Sequence, residues 1–239
     1  MLTDQGGASP EQLAPGVYRI DAFAFSRMIN VFAIKRIDGW TLVDTGIAGS
    51  RARIQAALTR LGVGPAEVTT IYLTHHHQDH TGGLPAMLAW ASDSEVVAPE
   101  HEAEIIAGEQ PMDASSNSFF RFMQRFGKLP VVPVTRTVRE GASVAGFRVI
   151  ATPGHSLGHT SLISDEHGLL LTADAFGAMP RKLRVGVRKA FCADPAMARR
   201  SAEKLLAEDY QTVAFSHGPV LRDNPKDHLR QIVAASGYS

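Results

Sequence analysis

The sequence predicts an α/β sandwich in which mixed β-sheets are covered by helices. Short segments rich in apolar and β-branched residues alternate with segments of helical spacing in both halves of the chain, and a helical stretch interrupts them near the middle. Such an alternation is typical of layered α/β folds. The 239 residues, 44% apolar and 20% charged, are enough to bury a large core.

The first half of the chain begins with a polar segment rich in glycine and proline, and we expect residues 1–15 to form a flexible tail. The dipeptide Asp38-Gly39 marks a hairpin turn, and Ser50 is a capping residue for the first helix. The predicted elements of this half are strands at 17–20, 30–34, 40–43, 69–73 and 95–98, and helices at 50–61 and 84–91.

A helical insertion is predicted at about residues 100–130. Its apolar stripe follows a helical repeat and consists of Phe119, Phe122, Met123 and Phe126. We interpret this stripe as core packing. The alternatives that it forms a lid, a pocket wall or an oligomer contact are left undecided. The later predicted elements are strands at 131–138, 144–151, 160–163, 169–173 and 212–215, and helices at 195–207 and 225–235. Residues 16–239 are therefore interpreted as a single domain.

The composition argues against several classes of partner. Lysine plus arginine and aspartate plus glutamate number 24 each, so the net charge indicates neither a nucleic-acid nor a membrane partner. No apolar stretch approaches the ~18 residues of a membrane span, and the first residues lack a signal-peptide pattern. Cys192 is the single cysteine, which excludes an internal disulfide and a cysteine-based zinc site. We expect a cytoplasmic protein that acts on a small molecule. The sequence does not decide between a monomer and a homodimer.

A histidine-rich run directly follows an apolar strand. His75, His77, Asp79 and His80 cannot all face one way on a regular element, but they can converge when the segment is a loop. Imidazole and carboxylate groups are good ligands for zinc and neighbouring divalent metals. The run therefore predicts part of a metal site, and His76 is expected to point away from it.

Other metal-competent side chains follow short apolar strands in the same way. His155, Asp174 and His217 lie at or near the ends of predicted strands, and so does Asp44. Strand ends along one edge of a sandwich lie close together, and loops on a rigid scaffold often carry functional sites. A single histidine of this kind would fit an ordinary buried residue, whereas the ordered set favours a metal site.

The ordered set resembles that of the metallo-β-lactamase superfamily. The motif His-x-His-x-Asp-His is complete at 75–80, and the later histidine, aspartate and histidine occur in the family order at 155, 174 and 217. The resemblance extends from Asp44 to His217 and points to a glyoxalase II-like or lactonase-like branch. It implies a four-layer αββα sandwich, with two mixed sheets flanked by helices.

The resemblance also implies a role for each of these residues. Two divalent metal ions are implied, with zinc expected and iron or manganese left open. Their ligands would be His75, His77 and His155 on the first metal, Asp79, His80 and His217 on the second, and Asp174 bridging both. Asp44 is expected to hold a ligand histidine by hydrogen bonds. His159 is expected to be a hydrogen-bonding residue rather than a ligand.

This assignment implies a binuclear zinc hydrolase. A hydroxide shared by two metals ~3.5–4 Å apart, with its pKa lowered toward ~7, attacks the carbonyl carbon of an ester, lactone or thioester of a small molecule. Asp174 is interpreted as catalytic because it bridges the metals, and Asp79 because it can orient the nucleophile or shuttle a proton. No serine or cysteine nucleophile is needed.

Members of the same fold with different chemistry leave further functions open. Glyoxalase II shares the motif, but relatives of that enzyme carry a C-terminal helical domain, whereas 22 residues follow His217 here. Zinc β-lactamases of the best-known class have a cysteine where this chain has Asp174. A mononuclear iron oxidoreductase resembling the persulfide dioxygenases, a phosphodiesterase and a pure binding protein also stay open. Specificity is expected to lie in residues 100–130 and 176–192.

Some further polar residues are interpreted as surface features. A basic run is interpreted as a solvated face, with attraction of an anionic substrate left open: Arg181, Lys182, Arg184, Arg188 and Lys189. Three histidines lack the strand-end context and are expected at the surface: His101, His167 and His228.

Overall fold

The structure, a computed structural model, describes residues 9–178 and 182–236. Its strands are β1 (Glu11–Ala14), β2 (Val17–Asp21), β3 (Asn30–Arg36), β4 (Gly39–Val43), β5 (Val68–Tyr72), β6 (Glu95–Pro99), β7 (Arg136–Val138), β8 (Ser143–Val144), β9 (Phe147–Ala151), β10 (Thr160–Ser164), β11 (Leu169–Leu171), β12 (Phe176–Ala178), β13 (Leu183–Val185) and β14 (Thr212–Ala214). Its α-helices are α1 (Arg51–Arg60), α2 (Gln78–Thr81), α3 (Leu84–Leu88), α4 (Glu100–Ile106), α5 (Ser118–Gln124), α6 (Pro195–Leu205) and α7 (Pro225–Ala235). Short 3-10 helices lie at Pro65–Glu67 and Lys189–Phe191.

Two mixed sheets form the centre of the fold. In the first sheet the strand order is β1-β2-β3-β4-β5-β6-β7, with antiparallel neighbours as far as β4 and parallel neighbours from β4 to β7. In the second sheet the order is β14-β11-β10-β9-β8, and only the pairing of β11 with β14 is parallel. Strands β12 and β13 form a separate antiparallel hairpin.

Alternate side chains of a strand point to opposite faces of its sheet, and β3 shows this directly. Phe32 and Ile34 pack into an apolar core between the two sheets, where Phe147 and Leu162 of the second sheet meet them. Val31 lies in a different core, on the other face of the first sheet. The central strands of both sheets are therefore buried on two sides, which explains their short apolar runs.

Helices cover the outer faces of both sheets. Ile54 of α1, Met87 of α3 and Ile106 of α4 pack in the core of the first sheet's outer face. Leu205 of α6 and Leu229 of α7 do the same on the second sheet. The layer order of helices, sheet, sheet and helices confirms the predicted αββα sandwich. None of the described helices is both long and apolar enough to cross a membrane.

Several predicted boundaries differ from the structure; the strand predicted at 144–151, for example, is the hairpin of β8 and β9. Glu11–Ala14 pairs with β2 as an edge strand, so the flexible tail predicted for residues 1–15 is wrong over this segment, and residues 1–8 lie outside the described part. Leu13 and Ala14 pack against the core between the sheets, a long-range contact that the polar composition of the segment conceals. The strand predicted at 131–138 is limited to Arg136–Val138.

The apolar stripe of the insertion is not part of the core. Phe119, Phe122 and Phe126 are 64%, 53% and 68% exposed. The interpretation of the stripe as core packing is therefore wrong. Helix α5 lies at the surface instead, where Asn117 caps it by accepting hydrogen bonds from the backbone N–H groups of Phe119 and Phe120.

Candidate metal centre

The seven predicted ligands converge at one edge of the sandwich. Strands β9, β11 and β14 run in the same direction, so the segments that follow them leave the second sheet on one side. The segment after β5 reaches the same place from the first sheet. The ligand atoms lie within 4.8 Å of one another in three overlapping groups: His75 with His77 and His155, His75 with His80 and Asp174, and Asp79 with His80 and His217.

In the first group three imidazole nitrogens face one another. His77 Nδ1 lies 3.2 Å from His75 Nε2 and 2.9 Å from His155 Nε2. Burial, followed by the neighbouring histidines, holds the pKa of His75 and of His77 well below the ordinary value, and burial also lowers the pKa of His155. These histidines are therefore neutral, with lone pairs to offer a cation.

In the group around Asp79 a carboxylate meets two histidines. His217 Nε2 is 3.2 Å from Asp79 Oδ2, and His80 Nε2 is 3.9 Å from Asp79 Oδ1. Asp174 lies between this group and the first, because its Oδ2 is 3.2 Å from His155 Nε2, 3.4 Å from His217 Nε2 and 3.6 Å from His80 Nε2. One Asp174 oxygen thus lies close to His155 of the first group and to both histidines of the group around Asp79.

Hydrogen bonds on the far side of each ring fix which nitrogen faces the cluster. The Nδ1–H groups of His80, His155 and His217 donate to the Asp44 carboxylate at 2.8 Å, to Gly186 O at 3.2 Å and to Met28 O at 2.5 Å. These oxygens only accept, so each Nδ1 carries the proton. In the neutral ring Nε2 then presents a lone pair to the cluster.

Asp44 orients two ligand histidines, and Thr74 relays one of these effects. The Thr74 hydroxyl donates to Asp44 Oδ2 at 2.9 Å, and it lies 3.0 Å from His75 Nδ1. A hydroxyl that donates to a carboxylate accepts from the imidazole, so His75 also directs Nε2 to the cluster. This geometry matches the expectation that Asp44 holds a ligand histidine by hydrogen bonds. Thr74 was missed because a threonine at the end of a strand carries no distinctive signal.

The two carboxylates place strong negative potential at the cluster. Burial alone raises the pKa of Asp79 and Asp174, but the adjacent His80 and His217 charges lower both below the ordinary value. For His217 the effects have the opposite sign. Burial lowers its pKa, but the charge of Asp174 and hydrogen bonds to both carboxylates raise it to about 10. Burial also lowers the pKa of His80, but the charges of Asp44, Asp174 and Asp79 raise it above the ordinary value. Without metal these raised pKa values favour a proton on each of the two rings, and a bound metal would displace it and use the Nε2 lone pair.

Two buried atoms support the fit of this cluster to metal. Among the described residues, five buried side-chain nitrogen or oxygen atoms have no hydrogen-bond partner, and His80 Nε2 and Asp174 Oδ1 are two of these five. Such atoms cost about 1–3 kcal/mol each when they stay unsatisfied. Both belong to the predicted ligand set, whose imidazole and carboxylate donors suit zinc, iron and manganese. The residues present therefore fit two divalent ions.

His159 supports the cluster from below. Its Nδ1 contacts the hydroxyl of Thr152 at 2.8 Å, and its Nε2 accepts a hydrogen bond from the backbone N–H of Asp174 at 2.9 Å. Burial lowers the pKa of His159 to about 3, which keeps this ring neutral and able to accept. It therefore positions the backbone of a ligand, and it lies outside the three groups of ligand atoms.

Glu102, which no sequence motif marks, joins the two main ligand-bearing loops. This buried carboxylate of α4 accepts from His76 N at 2.7 Å and contacts His76 Nδ1 at 2.6 Å. Its other oxygen accepts from the Ser156 hydroxyl at 2.7 Å and from Gly158 N at 2.9 Å. His76 thus points away from the ligand groups, toward α4.

Asp113 makes a second connection of the same kind. Its Oδ2 accepts from Leu157 N at 2.6 Å, and its Oδ1 lies 2.9 Å from His101 Nε2. His101 has an exposed side chain, as expected, but it is paired with a buried carboxylate. The insertion is therefore fixed by two carboxylates to the segment that carries His155.

A cavity of about 380 Å³ opens over the ligand cluster. Its floor is formed by cluster residues: His77, Asp79, His155, Asp174 and His217. Its walls come from residues 112–129 of the insertion and from Val187 and Phe191. Gln78 also lines the cavity, and the other wall residues fall within the two segments expected to carry specificity.

Arg188 of the basic run lies next to a wall of this cavity, because its guanidinium carbon is 5.8 Å from the ring centroid of Phe191. Three other residues of the run lie elsewhere. Lys182, Arg184 and Lys189 line a different cavity, of about 520 Å³, between β13 and α7. Arg181 lies outside the described residues. His228 is exposed and also lines this second cavity, and His167 is half-buried.

Comparison with known proteins identifies relatives of this chain. The family model described as Metallo-beta-lactamase superfamily matches residues 25–217. A hydroxyacylglutathione hydrolase of Hahella chejuensis is 29% identical over 170 residues, which are 70% of this chain and 52% of that protein. A hydroxyacylglutathione hydrolase of a Marinomonas species is 35% identical over 108 residues, 45% of this chain and 32% of that protein. The chain thus spans about half the length of these relatives, or less.

Solved structures share the fold. A metallo-beta-lactamase family protein of Thermus thermophilus superposes with a TM-score of 0.68 at 25% sequence identity, covering 94% of this chain and 79% of that protein. The similarity thus extends over most of the described fold.

Proposed function

The chain belongs to the metallo-β-lactamase superfamily, and we propose that it is a binuclear zinc hydrolase that cleaves an ester, lactone or thioester bond of a small molecule. The observation that carries the proposal is the convergence of five imidazole nitrogens and two carboxylates beneath one cavity. Their outer hydrogen bonds aim the lone pairs of four histidines at one place. Histidines with only a structural role in the core would not need lone pairs that point to one place.

Two zinc ions would be held, one by His75, His77 and His155 and the other by Asp79, His80 and His217. They would supply a water of lowered pKa and a Lewis acid for the substrate carbonyl. The chain's own contribution is positioning. Asp44, Thr74, Gly186 O and Met28 O hold the histidine rings, so that little reorganisation is needed when metal binds.

Asp79 is the ligand placed to handle protons. Its side chain is 32% exposed, whereas that of Asp174 is 4% exposed, and Asp79 borders the cavity. A carboxylate held ionised beside the reacting groups can accept a hydrogen bond from the attacking water and fix its direction. We therefore assign the orientation of the nucleophile to the Asp79 carboxylate, and the bridging role to Asp174.

The relatives support acyl hydrolysis over phosphodiester cleavage and redox chemistry. Both reported sequence relatives are named hydroxyacylglutathione hydrolases, a name that implies cleavage of a thioester. An iron oxidoreductase of the same fold is the second candidate, because imidazole and carboxylate ligands also suit iron. Metal identity separates the two.

The test is metal content and turnover measured on one sample of the full chain. We expect two zinc ions per chain and hydrolysis of at least one member of a panel of esters, lactones and thioesters. Asp174→Ala should lose metal and turnover together, while Asp165→Ala, which alters an exposed carboxylate, should retain both. One iron per chain with oxygen consumption, or turnover of phosphodiesters alone, would overturn the proposal.

A further inference from the structure

The walls of the cavity above the ligand cluster are mainly apolar. The insertion contributes Met112, Phe120, Met123 and Leu129, and the segment after β13 contributes Val187 and Phe191. The two segments meet through Phe120 and Phe191, whose rings stand edge to face with centroids 4.9 Å apart. This contact makes one continuous wall from parts of the chain that are distant in sequence.

The polar side chains in the walls are already engaged by the protein. Ser115 donates to Ala190 O at 2.7 Å and accepts from Asn117 N at 3.0 Å. Gln124 accepts from Ser115 N and donates to Asp113 O, and Gln78 donates to Lys128 O at 2.6 Å. These bonds hold the walls in shape and leave apolar surface for a ligand.

We propose that this cavity binds an aliphatic acyl chain of the substrate, with the carbonyl carbon at the ligand cluster. This inference rests on the proposed hydrolase function and names its substrate class. Burial of each methylene is worth about 0.8 kcal/mol, whereas the carboxylates of a glutathione moiety would lose hydration against these walls. A cavity of about 380 Å³ is within the usual range for small-molecule sites, about 300–1,000 Å³.

The first measurement is hydrolysis of an ester series from acetyl through butyryl and hexanoyl to octanoyl, and of a hydroxyacylglutathione. We expect kcat/KM to rise about fourfold for each methylene that the cavity buries, the factor that corresponds to about 0.8 kcal/mol. In Phe120→Ala the ratio of the octanoyl to the acetyl value should fall about tenfold. Phe122→Ala removes a ring from the same helix that lies outside the cavity walls and is 53% exposed, so this control should keep the ratio.

The second measurement separates the substrate class from the reaction. Calorimetric titration of the metal-loaded protein with octanoate and with acetate should show tighter binding of octanoate, with the difference reduced in Phe120→Ala and kept in Phe122→Ala. Chain-length discrimination in binding, without turnover of any ester, lactone or thioester in the panel, would support the apolar subsite and overturn the hydrolase proposal. Turnover or binding that ignores chain length, or a preference for the glutathione thioester, would overturn the subsite and leave the hydrolase standing.

Discussion

Asp44 shows how much of the site depends on one side chain that is not itself a ligand. It lies directly after β4 in the left-handed region, with φ 61°, a conformation that aspartate tolerates better than most residues. From there its carboxylate accepts from Thr74 N at 2.8 Å, from the Thr74 hydroxyl and from His80 Nδ1. One residue therefore fixes the rings of His75 and His80, which are predicted to bind different metals.

Asp44→Asn tests this arrangement without adding backbone strain, because asparagine also tolerates the left-handed region. The amide keeps one acceptor oxygen but loses the second acceptor and the charge. We expect zinc affinity and kcat to fall about 10–100-fold, measured by chelator competition and by initial rates. Asp38→Asn, in the exposed hairpin turn, is the matched control. Unchanged affinity and rate in Asp44→Asn would reduce Asp44 to a turn residue.

The convergence of the seven candidate ligands could be predicted from the sequence because each one follows an apolar strand within a few residues. Local pattern is enough to indicate a strand, and the chemistry of histidine and aspartate at its end indicates a site. Glu102 could not be found in this way. It lies between Glu100 and Glu104 in a short helix, where an acidic run resembles a solvated face. Its role depends on contacts with segments 26 and more than 50 residues away.

At the scale of elements, α4 connects the pocket to the metal ligands. Glu102 binds the segment around His76 with one oxygen and the segment around Ser156 with the other. Burial alone would raise the pKa of Glu102, but the hydrogen bonds and the adjacent His76 lower it, so the carboxylate stays ionised. The insertion that walls the cavity is thereby held in a fixed position relative to the ligand loops. The same contacts therefore fix the position of the cavity wall and the geometry of the loops that carry the predicted ligands.

Glu102→Gln should weaken both functions of this connection. In the wild type the buried donors share the two carboxylate oxygens of Glu102, whereas the glutamine amide offers one acceptor oxygen. At least one buried donor therefore loses its partner, at a cost of about 1–3 kcal/mol. We expect this loss in the unfolding free energy of the metal-free protein, measured in urea, together with weaker zinc binding. Glu104→Gln changes an exposed residue of the same helix and should alter neither. Equal values for the two variants would contradict the connecting role.

For the whole molecule, the metal site joins two halves that are already in contact. His75, His77, Asp79 and His80 extend from the first sheet, whereas His155, Asp174 and His217 extend from the second. The sheets also meet through their shared core and through direct bonds: the Tyr72 hydroxyl is 2.7 Å from that of Thr160, and Asn30 Nδ2 donates to Phe215 O at 2.8 Å. The chain should therefore fold without metal.

Metal binding should then raise the stability of a protein that is already folded. At free zinc about 100 times the dissociation constant, binding to the native state alone adds about 2.7 kcal/mol for each zinc ion bound. For a domain of this size that corresponds to a rise in Tm of about 5–10 °C for one ion and about 10–20 °C for both, measured by calorimetry on protein stripped with a chelator. Magnesium, which prefers oxygen ligands in octahedral geometry, should have little effect.

Asp174→Ala should lose most of the zinc response, because the Asp174 carboxylate lies close to His155 as well as to His80 and His217. A metal-free wild type that is unfolded would contradict the independence of the two-sheet core, and an equal zinc response in Asp174→Ala would contradict the bridge.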